Sequence, residues 1–200
     1  FLRGVIDSAD LPLSLSRETM QDSELLKKIS KVITGRFIKS VAETAKKDPE
    51  KFDAFYEAYN TNLKEGVATD YANREKLAKL LRYESSLTEA GKKTSFSDYI
   101  SRMGEKQENI YYLFGKSRES IEQAPHLEAF KARNIEVIYL TEAVDEFVMT
   151  HLNEFDGKKL MSADNAELDL DDVSGDAEGE AIEKSEFDSL CSWLKETLGE

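Results

Sequence analysis

The sequence is poor in the residue types that build most metal and redox sites. Its 200 residues include one cysteine, Cys191, and two histidines, His126 and His151. A single cysteine excludes an internal disulfide and is typical of a reducing compartment, so we expect the protein in the cytoplasm. Zinc sites need clustered cysteine and histidine ligands, and this sequence has no such cluster. We therefore predict no metal site.

Long apolar runs and net positive charge are also missing. No stretch approaches the roughly 20 apolar residues that cross a bilayer, so no membrane partner is predicted. Forty acidic residues outnumber 27 basic ones, which gives a net charge of −13. Because affinity for nucleic acid depends on neutralising phosphates with lysine and arginine, we expect no nucleic-acid partner.

The first half of the sequence has the apolar periodicity of helices. Apolar residues recur at steps of three and four over 17–46, over 49–66 and again after Asn73. A proline suits the first turn of the second helix, and Gly66 is predicted to cap its end. We expect the aromatic stripe of this helix to pack in the core; it consists of Phe52, Phe55, Tyr56 and Tyr59.

The second half of the sequence alternates between strand and helix patterns. Strands are predicted at 109–114, 135–140 and 159–161, and helices at 97–103, 117–123, 125–133 and 142–152. Strands that alternate with helices indicate parallel pairing in a small αβα layer. The last of these helices is predicted to bury Val144, Phe147, Val148 and Leu152.

The tripeptide Gly115-Lys116-Ser117 follows a predicted strand and is similar to the end of a phosphate-binding loop. The full G-x-x-x-x-G-K-S/T spacing is absent. We interpret the tripeptide as a turn followed by a helix cap. An independent nucleotide-binding αβα domain rests on this tripeptide alone and is our third hypothesis for the function.

The C-terminal part of the sequence is acidic. Residues 164–188 contain eleven acidic side chains and one basic side chain, Lys184. Such a composition is typical of a flexible connector. It is followed by an amphipathic helical pattern whose apolar face needs a partner; its apolar residues are Phe187, Leu190, Cys191, Trp193, Leu194 and Leu198.

Arg17 and Gln21 are the candidate site residues. Arg17 follows the Leu-Pro loop 11–16 and lies in the first turn of a predicted helix, where a cation is unfavourable by about 0.3–1 kcal/mol. The free backbone N–H groups of such a turn attract anions, so an arginine beside them favours anion binding. Gln21 lies one turn later on the same face. Alternatively, Arg17 simply pairs with Glu18, Asp10 or another acid at the surface.

Several blocks, in a fixed order, resemble the middle segment of the heat-shock protein 90 chaperone family. The blocks are GVIDSADLPLSLSRE at 4–18, NREKLAKLLRY at 73–83, SRM through QENIYYL at 101–113, VDEF at 144–147 and EFDGKKL at 154–160. Together they cover about residues 1–162. The block VDEF, with His151 and Leu152, is similar to the bacterial and organellar high-temperature protein G branch of this family.

The resemblance implies an α/β fold in four parts. Residues 1–20 would end a large αβα subdomain and carry its catalytic loop, and 21–94 would form a helical coil. Residues 95–162 would form a small αβα sandwich, and 163–200 an acidic linker with the start of a C-terminal domain. The chain begins with Phe1 rather than Met, and we expect it to be a fragment of the middle domain of a longer protein.

The resemblance also implies an ATP-dependent molecular chaperone that binds and remodels unfolded or client proteins. By this match, Arg17 reaches the γ-phosphate of ATP bound in the N-terminal domain, where it offsets charge during phosphoryl transfer, and Gln21 assists it. ATP and Mg are held by that other domain, so this fragment alone should not hydrolyse ATP. The family often has Asn where this chain has Ser14, which leaves the role of that side chain in the loop open.

The implied partners are client proteins, co-chaperones and the protein's own N-terminal and C-terminal domains, within a full-length homodimer. The alternative function is a non-catalytic module that docks clients or co-chaperones. High charge and the absence of a complete active-site motif favour this second hypothesis.

Overall fold

The computed structural model describes residues 24–165 and Trp193, and the structural statements below refer to these residues. Three predicted features lie outside them. These are the loop and the start of the first helix in 1–23, most of the acidic segment 164–188, and nearly all of the C-terminal helix.

Three helices come first among the described residues and confirm the helical pattern predicted there. They are α1 (Glu24–Lys47), α2 (Pro49–Thr69) and α3 (Arg74–Ala78). The Asp48 side chain accepts the Lys51 N–H at 3.1 Å, which satisfies one of the free donors at the start of α2. Pro49 occupies the first turn, where a missing N–H breaks no helical hydrogen bond.

The prediction that Gly66 caps α2 is wrong. The helix continues to Thr69, and the Asp70 N–H donates to the Gly66 carbonyl oxygen at 2.8 Å. The glycine has a packing role instead, because an added Cβ atom would lie 3.0 Å from Leu77 Cδ1 of α3. Close approach of α3 to α2 therefore explains the small residue.

A mixed sheet of five strands follows, and its order is β1-β3-β2-β5-β4. The strands are β1 (Glu84–Ser85), β2 (Asn109–Phe114), β3 (Val137–Leu140), β4 (Glu154–Phe155) and β5 (Lys158–Ser162). The central β2 is parallel to both β3 and β5, with Tyr112 opposite Ile138 and Ile110 opposite Leu160. The parallel pairing predicted from the strand–helix alternation is thus confirmed. Two short edge strands, β1 and β4, are antiparallel to their neighbours and were not predicted.

Four helices connect the strands, as predicted. They are α4 (Phe96–Arg102), α5 (Arg118–Glu122), α6 (Pro125–Lys131) and α7 (Val144–Leu152). Serines 95 and 117 begin α4 and α5 with reciprocal capping boxes, in which each serine accepts an N–H from the third residue of its helix.

The sheet separates two apolar clusters. All four residues of β3 are buried: Ile138 and Leu140 join one cluster, while Val137 and Tyr139 join the other. This follows from the alternation of side chains along a strand that is covered on both faces. Helices α1–α4 and α7 contribute to the first cluster, and α5 and α6 to the second. The observed class is therefore mixed α/β, while the subdomain boundaries at 20, 94 and 162 stay predictions.

The predicted aromatic stripe of α2 is buried over part of its length. Phe52 and Tyr56 are 2% and 3% exposed, and Phe55 is half-buried against Phe37 of α1. Tyr59 is 39% exposed, so its predicted place in the core is wrong. The Tyr59 ring still contacts the Phe55 ring of the same helix, with 5.2 Å between the two ring centroids.

Candidate functional site

Arg17 and Gln21, the two site residues predicted from the sequence, lie outside the described residues. Their role stays a prediction. The described part of the chain contains four other features that bear on function: an exposed face of α7, a buried charge network beneath it, a basic face of α1 and a groove beside α3.

Helix α7 exposes an aromatic side chain that the sequence predicted to be buried. Phe147 is 60% exposed, so that prediction is wrong. The buried face begins instead with Asp145, and continues through Val148, Met149 and Leu152. These four positions follow the i, i+3, i+4, i+7 spacing of one helix face, which turns Phe147 outward. The predicted burial of Val148 and Leu152 is confirmed, while Asp145 was not predicted because an acid is rarely buried.

The outer face of α7 combines Phe147 with polar neighbours. Glu146, Thr150 and His151 are exposed around it. The His151 ring Nδ1 lies 2.8 Å from the Phe147 carbonyl oxygen, which is part of the same turn. An exposed aromatic ring bounded by polar side chains is typical of the anchor residues of protein interfaces.

A buried charge network fixes the start of α7 to α2. Lys64 of α2 is 2% exposed, and its Nζ lies 2.7 Å from Asp145 Oδ1 and 3.2 Å from Glu142 Oε1. Asp145 Oδ2 also accepts the Glu142 N–H at 3.2 Å. The same Nζ lies 5.2 Å from the centre of the Tyr83 ring. The network thus holds the segment that presents Phe147.

Burial dominates the ionisation of this network. Burial raises the pKa of Asp145, because the cost of removing its carboxylate from water outweighs the favourable charge of Lys64. Burial and the negative charges of Asp145 and Glu142 likewise raise the pKa of Tyr83. The Tyr83 hydroxyl has no hydrogen-bond partner among the described residues. It therefore remains a neutral donor at physiological pH.

Helix α1 has a basic surface in an otherwise acidic chain. Its 24 residues contain seven lysines and arginines against two glutamates. Two apolar side chains, Val32 and Ile33, are 53% and 38% exposed beside these cations. Within the apolar pattern of this helix, Ile38 and Val41 are buried, whereas Val32 and Ile33 stay exposed.

A groove of about 640 Å³ lies between α3 and the turn that joins β4 to β5. Tyr71 lies at the rim of this groove and is 82% exposed. The centre of its ring lies 5.0 Å from the Arg74 guanidinium carbon. Arg74 donates to the Val67 carbonyl at 2.8 Å and to the His151 carbonyl at 2.9 Å. One arginine thereby satisfies the free carbonyls at the C-terminal ends of both α2 and α7.

The tripeptide Gly115-Lys116-Ser117 is a turn and a helix cap, as predicted. Ser117 Oγ accepts the Ser120 N–H at 3.3 Å, and the Ser120 hydroxyl accepts the Ser117 N–H at 3.1 Å. A Cβ atom on Gly115 would overlap the Ile121 side chain, so the glycine allows α5 to pack against the end of β2. The turn therefore lacks the free glycine-rich backbone of a phosphate-binding loop.

Two further properties concern metals and membranes. Over residues 24–165 and at Trp193, no three histidine, cysteine or acidic side chains are grouped so that they could hold a metal ion. Among the same residues, no helix combines the length and the apolar character that a membrane span requires.

Comparison with known proteins identifies one family. The model of the Hsp90 protein family matches residues 1–200. The chain is 47% identical over 201 residues to the chaperone protein HtpG of Desulfitobacterium hafniense, covering 100% of this chain and 33% of that protein. It is 45% identical over 201 residues to HtpG of Desulfotalea psychrophila, a match that covers 99% of this chain and 32% of that protein. It is 43% identical over 200 residues to HtpG of Myxococcus xanthus, a match that covers 100% of this chain and 30% of that protein. The chain thus spans about a third of the length of these curated relatives.

Proposed function

The chain belongs to the Hsp90 family, and on this basis we propose that it is a middle-domain segment of an ATP-dependent chaperone of the bacterial HtpG type. The full-length protein binds and remodels unfolded or client proteins as a homodimer in the cytoplasm. The observation that carries this proposal is the family match along the entire chain.

In this proposal, Arg17 supplies a positive charge to the γ-phosphate of ATP, and Gln21 assists it. ATP and magnesium are held by the N-terminal domain, and the residues described above take no part in their binding. A guanidinium at this position stabilises the charge that accumulates on the phosphoryl oxygens during transfer. The segment alone therefore hydrolyses no ATP.

Replacement of Arg17 tests this role. In the full-length protein, Arg17→Ala should lower the ATP turnover number about 10²–10³-fold, the cost of losing one charge contact in the transition state. Arg36→Ala is the matched control, because Arg36 is an exposed arginine farther along the same predicted helix. ATP turnover that is equal in the two variants would contradict the role of Arg17.

We further propose that the outer face of α7 contacts client proteins. An unfolded client exposes apolar side chains, and Phe147 offers an aromatic ring that is 60% exposed among the described residues. The buried network of Lys64 and Asp145 fixes the helix that carries this ring. An interface of this kind gains affinity when the aromatic ring leaves water.

The client contact is tested by Phe147→Ala in the full-length protein. We expect the affinity for an unfolded client, measured by calorimetry, to fall about 10-fold, since an aromatic anchor contributes about 1.4 kcal/mol or more. Leu87→Ala is the matched control, because Leu87 is also 60% exposed but lies in the turn after β1. Equal affinities of both variants would exclude Phe147 as an anchor.

The alternative function, a docking module without catalysis, is favoured by the basic surface of α1. This surface suits an acidic co-chaperone or an acidic client segment, because opposite charges steer association. In the isolated 200-residue chain, Lys28→Glu with Lys31→Glu should abolish binding of such a partner, whereas Lys106→Glu should not. An isolated chain that binds neither clients nor acidic partners would argue against a self-sufficient module.

A further inference from the structure

We propose that the open edge of β4 binds an extended acidic segment of a client protein as an additional strand of the sheet. β4 is the last strand in the sheet order, so no strand among the described residues pairs with its outer side. An edge of this kind offers unpaired backbone groups to a second chain. The inference rests on the proposed chaperone function, because it names the place where an unfolded client binds.

The register of the hairpin formed by β4 and β5 shows which backbone groups lie at this edge. The Leu160 N–H donates to the Asn153 carbonyl oxygen at 2.8 Å, and the next pair along the ladder is Glu154 with Lys159. Hydrogen-bonded and non-hydrogen-bonded pairs alternate in an antiparallel ladder. Glu154 therefore directs its N–H and its carbonyl oxygen away from β5. Neither group has a hydrogen-bond partner among the described residues.

The groove of about 640 Å³ between α3 and the β4–β5 turn lies along this edge. Glu154 and Phe155 line one side of it, and residues of α3 line the other. A helix beside an open edge gives an added strand a second wall to contact. The segment then gains side-chain contacts as well as backbone hydrogen bonds, which is the usual combination in strand addition.

The helix wall of the groove is positively charged. Lys76 of α3 and Lys79 directly after it are exposed, lie one turn apart and both line the groove. Neither forms an ion pair with an acid in the described part of the chain. With Arg74 and Glu75, this wall has three cations and one acid, a net charge of +2. It therefore favours a segment with acidic side chains.

The two sides of β4 set the spacing of these acids. Phe155 packs in the first apolar cluster with Leu77 and Ala78 of α3, so α3 lies on the Phe155 side of the strand and the exposed Glu154 side chain is on the other. Neighbouring residues of an added strand also face opposite sides. An acid directly opposite Glu154 is repelled, whereas the residues before and after it face α3. The groove thus suits a segment in which acidic and uncharged residues alternate.

A second copy of this chain is a less suitable occupant of the edge. Two β4 strands paired antiparallel about Glu154 would bring the Glu154 carboxylates of the two copies opposite each other. Like charges in such a pair are unfavourable, and charged residues on edge strands prevent self-association in this way. An unfolded client places an uncharged residue at that position.

The test is amide hydrogen exchange at Glu154 in the 200-residue chain, followed by NMR. The probe is a capped seven-residue peptide in which threonine and glutamate alternate. We expect saturating peptide to slow exchange of the Glu154 amide at least about 10-fold, because a hydrogen-bonded amide exchanges only when its contact opens. The Leu160 amide is the matched control. It already donates to Asn153, so the peptide should leave its exchange unchanged.

Two further peptides separate backbone recognition from charge. A copy of the acidic peptide that is N-methylated at its central residues keeps the side chains but lacks the N–H donors of a strand. This copy should not slow exchange at Glu154. A peptide with lysine in place of glutamate should bind about 10-fold more weakly than the acidic peptide, because the lysines of the groove repel it.

Variants locate the charge contact. Lys76→Glu with Lys79→Glu should weaken binding of the acidic peptide about 10-fold, since two attractions become repulsions. Lys106→Glu with Lys131→Glu is the matched control, because both of these lysines are exposed and neither lines the groove. Equal affinities of the two double variants would contradict recognition of an acidic segment by α3.

Three results would overturn the edge site. The first is exchange at Glu154 that saturating acidic peptide leaves unchanged. The second is equal protection by the N-methylated copy, because backbone pairing would then play no part. The third is protection that rises with the concentration of the chain in the absence of peptide, which would assign the edge to a second copy.

The edge site and the proposed function fail in different ways. Client binding by the full-length protein without protection of Glu154 by the peptide would contradict only the edge site. Protection of Glu154 by the peptide, combined with a full-length protein that binds no unfolded client, would contradict only the proposed function.

Discussion

Lys64 of α2 and Asp145 of α7 form an ion pair of 2.7 Å, although their side chains are only 3% and 2% exposed. Removing two charges from water is unfavourable, and their mutual attraction offsets this free-energy cost only when the geometry of the pair is good. Here the pair connects the long α2 to the helix that exposes Phe147. The contact therefore links the stability of the core to the orientation of the proposed client-binding face.

Breaking this pair one residue at a time should be costly. We expect Lys64→Met to lower the free energy of unfolding by about 3–5 kcal/mol, because Asp145 is left as an unpaired buried charge. The double variant Lys64→Met with Asp145→Leu should be near the parent in stability, since apolar side chains fill the same space. Urea denaturation of the two variants and the parent measures the difference.

An exposed pair provides the control for this comparison. Lys47 and Glu43 lie 3.6 Å apart with side chains 78% and 51% exposed, and Lys47→Met should cost less than about 1 kcal/mol. A double variant as unstable as Lys64→Met alone would show that the buried charges are not the reason for the loss.

The raised pKa of Asp145 predicts a specific pH dependence. The folded state holds this proton more tightly than the unfolded state, in which the carboxyl has its ordinary pKa of 3.8. The folded state therefore binds more protons, and the contribution of Asp145 to the free energy of unfolding falls as the pH rises from 3.8 through the raised value. Asp145→Asn cannot ionise and lacks this contribution.

The measurement is the difference in free energy of unfolding between the parent and Asp145→Asn at several pH values. We expect the free energy of unfolding of the parent to fall relative to that of Asp145→Asn as the pH rises across this window. A shift in favour of the parent would mean that Lys64 lowers the pKa of Asp145 below its ordinary value, contrary to the dominance of burial.

The long elements could be predicted from the sequence because their patterns repeat. In α1 and α2, apolar residues recur over more than twenty positions, which leaves little ambiguity between helix and strand. The runs of β2 and β3 are rich in β-branched and aromatic residues. In contrast, β1 and β4 have two residues each, and exist only because β3 and β5 offer them an edge.

The sequence did not predict which face of α7 is exposed, and the reason differs from that for the short strands. Apolarity favoured Phe147 as a core residue, and an acid such as Asp145 is rarely buried without a partner. Its partner, Lys64, lies on another helix far earlier in the chain, so the local pattern contains no trace of the pair. Arg17 and Gln21 follow from the predicted start of a helix and from the resemblance to the family, and both lie outside the described residues.

Two glycines should respond in opposite ways to alanine. A Cβ atom on Gly115 would overlap the Ile121 side chain, so Gly115→Ala should destabilise the protein by about 1–3 kcal/mol through overpacking. Gly35 lies inside α1 with no described atom within 4 Å of an added Cβ. Gly35→Ala should therefore stabilise the protein by up to about 1 kcal/mol, since alanine favours helix. Thermal unfolding of both variants measures these two changes in stability. Destabilisation by Gly35→Ala would show that other atoms lie close to that position.

Substitutions on the two faces of α7 should differ in their effect on the free energy of unfolding. Met149 is 4% exposed and packs in the first apolar cluster, so Met149→Ala should lower the free energy of unfolding by about 2–5 kcal/mol. Phe147→Ala removes a larger side chain but one that is 60% exposed, and should change the stability by less than about 0.5 kcal/mol.

Denaturant titration of these two variants checks the assignment without any client. If Phe147→Ala proved as destabilising as Met149→Ala, the ring would be packed against the protein itself, and the proposed client contact at this face would lose its basis. A small effect of Phe147→Ala on stability, combined with weaker client binding, distinguishes an interface residue from a core residue.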